Sequence, residues 1–325
     1  MKGAPVDDPQ SSYQQESATD SINSMGDTFA YLLMGHTQGK LSKVRWFRTD
    51  WQRGGALTGF GQWDDGEQIQ EVVVKLPVPP VERNWLIHAQ NFENVSPKLF
   101  AHGDSLGGYD LAWVIMERMP HGPLNHHWQG REFDLLVEAL GRFYAAGEHL
   151  PLTGRPDGRN WHDILQRSRD QLHKQSIPQS QRWSAALKQA HRKLDHWLEI
   201  WNQRPITGWC HGDLHLGNAM TRIPAPDGPA VLLDFAQARP GHWVEDAIYC
   251  EHLFWARRSR LGDRKLCSML AKVRKHHHLP VDADWPRLAT IKRKLLAMST
   301  PLKLLHDGDI SNLNACLEVL ESEQA

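Results

Sequence analysis

The segment HGDLHLGN (His211–Asn218) sets a carboxylate, Asp213, five residues ahead of an amide, Asn218, and a second carboxylate, Asp234, closes the later apolar run AVLLD. Gly212 and Gly217 let the loop turn the Asp213 and Asn218 side chains toward one point, which a straight helix or strand would not do. In such a trio one carboxylate accepts or orients a hydroxyl, while the amide oxygen and the other carboxylate hold Mg²⁺ on nucleotide phosphates. Asp234 adds weight, because a carboxylate behind Ala230, Val231, Leu232 and Leu233 is costly to bury alone and a divalent ion supplies a partner. The chemistry expected from these residues is metal-assisted phosphoryl transfer.

His211 and His215 flank Asp213 as H-x-D-x-H, a pattern that also fits part of a metallohydrolase site. A zinc centre wants a third nitrogen or sulfur ligand at a recognisable spacing, so His211 is expected instead to pack against the loop and hydrogen-bond it. His276, His277 and His278 lie in a Lys- and Arg-rich helical stretch and read as solvated surface. Of the fourteen tryptophans, Trp161, Trp183, Trp197 and Trp201 fall on helical faces and read as core, while Trp243 and Trp255 are candidates to line an acceptor pocket.

The elements that must position the trio change character along the chain. Residues 1–24, rich in Ser, Gln, Asp and Pro, read as a disordered tail, with order expected from near Phe29. From Lys43 to Leu76, VRWFRTDW, ALTGFGQW and EVVVKL read as antiparallel strands, with a flexible break at Gly54 and Gly55 and a hairpin turn at Asp64–Gly66. A helix over VERNWLIHAQNF follows the prolines, and LAWVIMERM is a second buried strand. Beyond Glu132 the apolar spacing becomes helical in EFDLLVEALGRFYAAGEHL and SAALKQAHRKLDHWLEIW. A strand pair is expected to bracket the polar motif, TGWCHGD before it and AVLLDF after it. Helices then run from Glu245 to Leu320, interrupted at Leu279–Pro286. A net charge of −1 offers no positive field for nucleic acid or an anionic membrane. The four scattered cysteines fit reduced thiols, and with no signal-like h-region a cytoplasmic location is expected.

HGDLHLGN resembles the catalytic loop of the aminoglycoside phosphotransferase and choline kinase families, relatives of the protein kinases; LLDFAQA resembles their metal-binding segment, and GHWVEDAIY the stretch that follows it. The resemblance implies an α+β, protein-kinase-like, bilobal fold. Residues 25–120 would form a small antiparallel β-rich, nucleotide-binding N-lobe with hinge, and residues 121–325 a larger, mainly helical catalytic and acceptor-binding C-lobe. It implies Asp213 as the catalytic residue, Asn218 and Asp234 as Mg²⁺ ligands, and Asp246 as a brace for the loop. Upstream it implies Lys75 on the ATP phosphates and Glu82 as its partner, although Glu82 also suits a helix's first turn and Glu93 is a rival. The glycines of RGGALTGFG, Gly54 and Gly55 first, would approach phosphates, and Glu117 and Met119 of VIMERM would meet the adenine. The expected activity is ATP- and Mg²⁺-dependent phosphorylation of a small-molecule hydroxyl acceptor. A kinase-like module without turnover is the alternative, and a metallohydrolase a further one. Glu245, Glu251 and Asp263 would suit a cationic acceptor, whereas Arg257, Arg258 and Arg260 would suit an anionic or neutral one.

Overall fold

The computed structural model describes residues 25–47, 56–126, 130–174, 176–303 and 310–322. The tail expected over residues 1–24 lies outside them, as do Gly54 and Gly55. The chain divides into two compact units, one formed by residues up to Ile87 together with Pro97–Arg118, the other by His88–Ser96 and Met119 onward.

The first unit is built on a five-stranded antiparallel sheet: β1 (Leu41–Phe47), β2 (Leu57–Asp64), β3 (Ile69–Leu76), β4 (Leu99–Gly103) and β5 (Trp113–Glu117), in the order β1-β2-β3-β5-β4. The expected hairpin turn is present. Gly66 takes φ +93°, its N–H bonds Asp64 Oδ1 at 2.9 Å, and Asp65 Oδ1 accepts from the N–H groups of Glu67 and Gln68. Pairing then runs in unbroken register from Asp64↔Ile69 to Leu57↔Leu76. Alternation in β3 buries Val72, Val74 and Leu76 in a core completed by Leu33, Leu41, Trp63, Leu106, Trp113 and Ile115, so Lys75 belongs to the opposite face. A helix over 25–36 (α1) supplies Leu33 to that core and starts ahead of Phe29. Helix α2 (Pro80–Ala89) begins at a proline, as expected. The edge strand β4 was not expected, because LFAHG is short and carries no alternation.

The second unit is mainly helical: α3 (Glu132–Gly147), α4 (Trp161–Lys174), α5 (Ser180–Asn202), α6 (Val244–His252), α7 (Arg258–Leu261), α8 (Leu266–His276), α9 (Trp285–Met298) and the C-terminal helix Ile310–Glu321. Helix α3 runs through its core, burying Phe133, Leu136, Leu140, Phe143 and Tyr144. At Gly141 a Cβ would collide with Val273, so the glycine is what lets α8 pack this closely. The interruption expected between α8 and α9 is present, with Pro286 in the first turn of α9. Trp161, Trp183, Trp197 and Trp201 are core as expected; Trp243 and Trp255 are core too, each 4% exposed, which removes them from any acceptor pocket. Trp243 packs on Trp285, and Trp255 donates its indole N–H to Glu251.

The strands around the polar motif also differ from expectation. They do not pair with each other. Gly208–Cys210 (β6) pairs with Arg239–Gly241 (β9), and Ala219–Thr221 (β7) pairs with Ala230–Leu232 (β8), so one ribbon is nested inside the other. Among the described residues no helix is long and apolar enough to cross a membrane.

Phe143 is fully buried and stacks on Phe235, 5.9 Å between ring centroids. Truncation to alanine is expected to cost about 3–5 kcal/mol, read as a lower urea midpoint at unchanged m-value.

Candidate active site

The loop that follows β6 is shaped by one carboxylate. Asp246, in the first turn of α6 and 1% exposed, accepts from the N–H of His211 (2.8 Å) and of Gly212 (2.9 Å), and from the Tyr144 hydroxyl of α3 (2.9 Å). Burial, and then the Asp246 charge, push the Tyr144 phenol far above its ordinary range, so it stays a donor. Gly212 itself sits at φ +83°, where a Cβ would run into the Gln237 carbonyl and the Arg239 guanidinium. These contacts make Asp246 the expected brace of the loop.

His211 is fully buried, with Nε2 at 2.9 Å from the Leu233 carbonyl. A carbonyl can only accept, so the proton is on Nε2 and the buried Nδ1 is left without a partner. Burial holds the imidazole below its usual range, and the charges of Asp246, Asp213 and Asp234 pull the other way. His215 turns Nδ1 back onto the Gly217 N–H at 3.0 Å. Both histidines serve the backbone, and among the described residues no three His, Cys, Asp or Glu side chains group as a metal site. Both histidines of the H-x-D-x-H pattern thus have structural work in the loop.

The three residues of the opening trio are drawn together by the nested ribbons. The Leu233 N–H bonds the Asn218 carbonyl at 2.9 Å, extending the Ala219↔Leu232 pairing by one step, so Asn218 and Asp234 lie at the same end of the inner ribbon. The Asn218 amide nitrogen donates to the Asp213 carbonyl at 2.9 Å and lies 3.5 Å from Asp213 Oδ2. With its nitrogen so engaged, Asn218 keeps its amide oxygen as a ligand atom. Asp234 takes the left-handed conformation, φ 60° and ψ 68°, between the buried β8 strand and the buried Phe235. For a non-glycine residue this is a strained backbone, held by its anchored neighbours.

Tyr249 was not expected at the site. Its hydroxyl donates to Asp213 Oδ1 at 2.6 Å, and burial followed by this bond raises the phenol well above its normal range. The periodicity of α6 carried a signal: Tyr249 follows Asp246 by one helical turn, so both face the same loop. Tyr144, 102 residues from Asp246, carried none.

In the first unit Lys75 Nζ lies 2.7 Å and 2.9 Å from the two oxygens of Glu82, whose side chain is 1% exposed. Glu82 and not Glu93 is therefore the partner of Lys75. The Glu117 carboxylate accepts from the Lys98 N–H at 3.0 Å, which ties β5 to the start of β4. Met119 is buried, and neither of its backbone polar groups has a hydrogen-bond partner among the described residues. Gly54 and Gly55 lie outside the described residues.

Two of the acidic residues considered for a cationic acceptor are engaged internally. Glu245, 1% exposed, meets Arg204 at 3.1 Å, Arg239 at 3.2 Å and Lys292 at 3.9 Å. Glu251 is paired with Arg293 through both oxygens, at 2.7 Å and 2.8 Å. Asp263 is exposed. Asp246→Asn would set an NH₂ group against N–H donors and weaken charge-assisted bonds; a stability loss of about 2–3 kcal/mol is expected by urea titration.

Residues 54–289 match the model of APH, the phosphotransferase enzyme family. A protein of Ralstonia eutropha JMP134 assigned as an aminoglycoside phosphotransferase is similar in structure with a TM-score of 0.54 at 15% identity, covering 89% of this chain and 94% of that one. A thermostable mutant of the aminoglycoside phosphotransferase APH(4)-Ia, in ternary complex with AMP-PNP and hygromycin B, gives 0.52 at 15% identity over 90% of this chain and 98% of its own. A microcompartment-associated aminopropanol kinase gives 0.50 at 13% identity over 86% and 89%. At such identities the likeness is one of fold, and a search of curated protein sequences finds no match. The family match spans both the β-rich unit and the braced loop, and the chain accordingly belongs to the phosphotransferase enzyme family, with an α+β, protein-kinase-like fold.

Proposed function

We propose that the chain is an ATP-dependent small-molecule kinase that moves the γ-phosphoryl group to an acceptor hydroxyl. The observation that carries this reading is the state of the Asp213 carboxylate. Its Oδ1 is engaged by Tyr249 at 2.6 Å, while among the described residues Oδ2 has only the longer approaches of Asn218 at 3.5 Å and His215 at 3.8 Å. One oxygen is fixed and the other retains the capacity to accept a hydroxyl proton. An acceptor O–H bound at Oδ2 would be oriented for attack and would give up its proton as the bond to phosphorus forms.

In the first unit Lys75 would meet the nucleotide phosphates. Glu82 holds the ammonium in place through both of its carboxylate oxygens. The Met119 backbone, with its donor and acceptor unengaged, suits the edge of an adenine. The binding of AMP-PNP by the similar APH(4)-Ia structure supports a nucleotide ligand here. Asn218 and Asp234 can each offer a hard oxygen donor, the Asn218 nitrogen being bonded to the Asp213 carbonyl. Asn218 and Asp234 would thus hold Mg²⁺, which when bound neutralises charge on the phosphates. The chain's own contribution is positioning: the loop is fixed by Asp246 before any substrate arrives, so little reorganisation remains.

ADP release in the presence of Mg·ATP and hydroxyl acceptors tests the reading. Asp213→Asn should lower turnover by about 10²- to 10⁴-fold while Mg·ATP still raises the melting temperature; unchanged turnover would remove Asp213 from the chemistry. Tyr249→Phe should lower kcat by about tenfold and leave the KM for ATP unchanged, since it frees the carboxylate to rotate without touching the nucleotide. A matching rise in the ATP KM would instead mark a general distortion.

A further inference from the structure

Beside the Asp213 loop lies a connected set of charges. Glu245 meets Arg204, Arg239 and Lys292; Lys292 meets Asp157 at 3.4 Å, and Asp157 meets Arg159 at 3.2 Å. The burial of these groups divides them. Arg204 and Lys292 have side chains 5% and 3% exposed, and the carboxylates between them, Glu245 and Asp157, are 1% and 8% exposed. Two buried cations thus balance two buried anions. Arg159 and Arg239 are the surplus, and they are the members that reach solvent, at 41% and 20%.

Arg239 lies beside the loop that carries Asp213, and Arg159 is joined to it through Asp157, Lys292 and Glu245. The Arg239 guanidinium abuts Gly212, the residue before Asp213, and its Nη1 is exposed with a long 3.3 Å bond to the Gln237 carbonyl. Arg159 pairs with Asp157 at 3.2 Å, and its charge opposes the upward push that burial and Asp213 give the Tyr249 phenol. Asp246 also lies near Arg239; its oxygens bond loop N–H groups and Tyr144 and neither guanidinium, yet its charge offsets part of the surplus. Meanwhile two of the three carboxylates considered for an amine, Glu245 and Glu251, are paired inside the fold, and Asp263 is exposed.

We propose that the acceptor carries an anionic group, a carboxylate or a phosphate, which Arg159 and Arg239 receive beside its reacting hydroxyl. This rests on the kinase reading of the same site. A guanidinium pair suits either anion because its N–H groups match two acceptor oxygens at once. The network beneath keeps both side chains in place, so the site selects by charge before the hydroxyl reaches Asp213.

Two measurements test it. In the first, sulfate is titrated in a thermal-shift experiment at saturating Mg·AMP-PNP and matched ionic strength, on the wild type, Arg159→Ala and Arg159→Glu. Arg159 is exposed, so both variants should fold. Sulfate should stabilise the wild type beyond matched chloride, less so Arg159→Ala, and Arg159→Glu not at all; equal shifts in all three overturn the proposal. In the second, ADP release is compared for glycerate, glycerol phosphate, glycerol and aminopropanol. One of the two anionic alcohols should exceed glycerol and aminopropanol by about tenfold in kcat/KM, and which one it is identifies the anion. Arg159→Glu should erase that preference. Preference for aminopropanol or glycerol overturns the anionic acceptor and leaves the kinase intact. Arg159-dependent sulfate binding with no ADP release from any alcohol keeps the anion site and counts against the kinase.

Discussion

Two backbone N–H groups converging on one buried carboxylate hold the proposed reaction centre in shape. The Asp246 oxygens take the amides of His211 and Gly212, and a third bond from Tyr144 fixes the carboxylate from behind. A buried anion without such donors would be strongly disfavoured, and a loop without such an acceptor would need water to satisfy its amides. Each half satisfies the other. The positive φ of Gly212, the approach of Arg239 and the seating of His211 on the Leu233 carbonyl all presuppose this clamp.

Much of this was legible in the chain, and the limits have physical reasons. Strands β2 and β3 and their turn declared themselves because a half-buried sheet imposes period-two burial and the Asp-Asp-Gly turn supplies its own hydrogen bonds. The β4 edge did not, because an edge strand needs no alternation. Asp213, Asn218 and Asp234 could be singled out since carboxylates and amides amid glycine and apolar residues cost free energy unless used. Their supports could not, as Tyr144 and Lys292 reach the site across long stretches of sequence. Two of the acidic residues thought to face an acceptor, Glu245 and Glu251, were misplaced for the same reason. A sequence shows that Glu245 is charged, but only the fold shows three cations already beside it.

The two histidines of the loop show how one motif admits two chemistries. Spacing alone allows both imidazoles to bind a metal. What decides is that one nitrogen of each ring is engaged by the backbone: His211, neutral between Phe143 and Phe235, bonds the Leu233 carbonyl, and His215 caps the turn that carries Asn218. Both are fixed to the backbone of the phosphotransferase loop, and their service is to its geometry.

The nesting of the ribbons bears on the order in which the molecule assembles. The inner ribbon closes over the short turn between Thr221 and Ala230, whereas the outer one can pair Cys210 with Arg239 only across everything in between. Chain-closure entropy grows with the length enclosed, so the inner hairpin is the natural nucleus and the outer pairing a later event. Asn218 and Asp234 thus come together early, at the end of the first ribbon to form, while Asp213, on the loop between the two, gains its bracing bonds only once α6 docks. In a chain emerging in order, the proposed cation ligands would precede the proposed base.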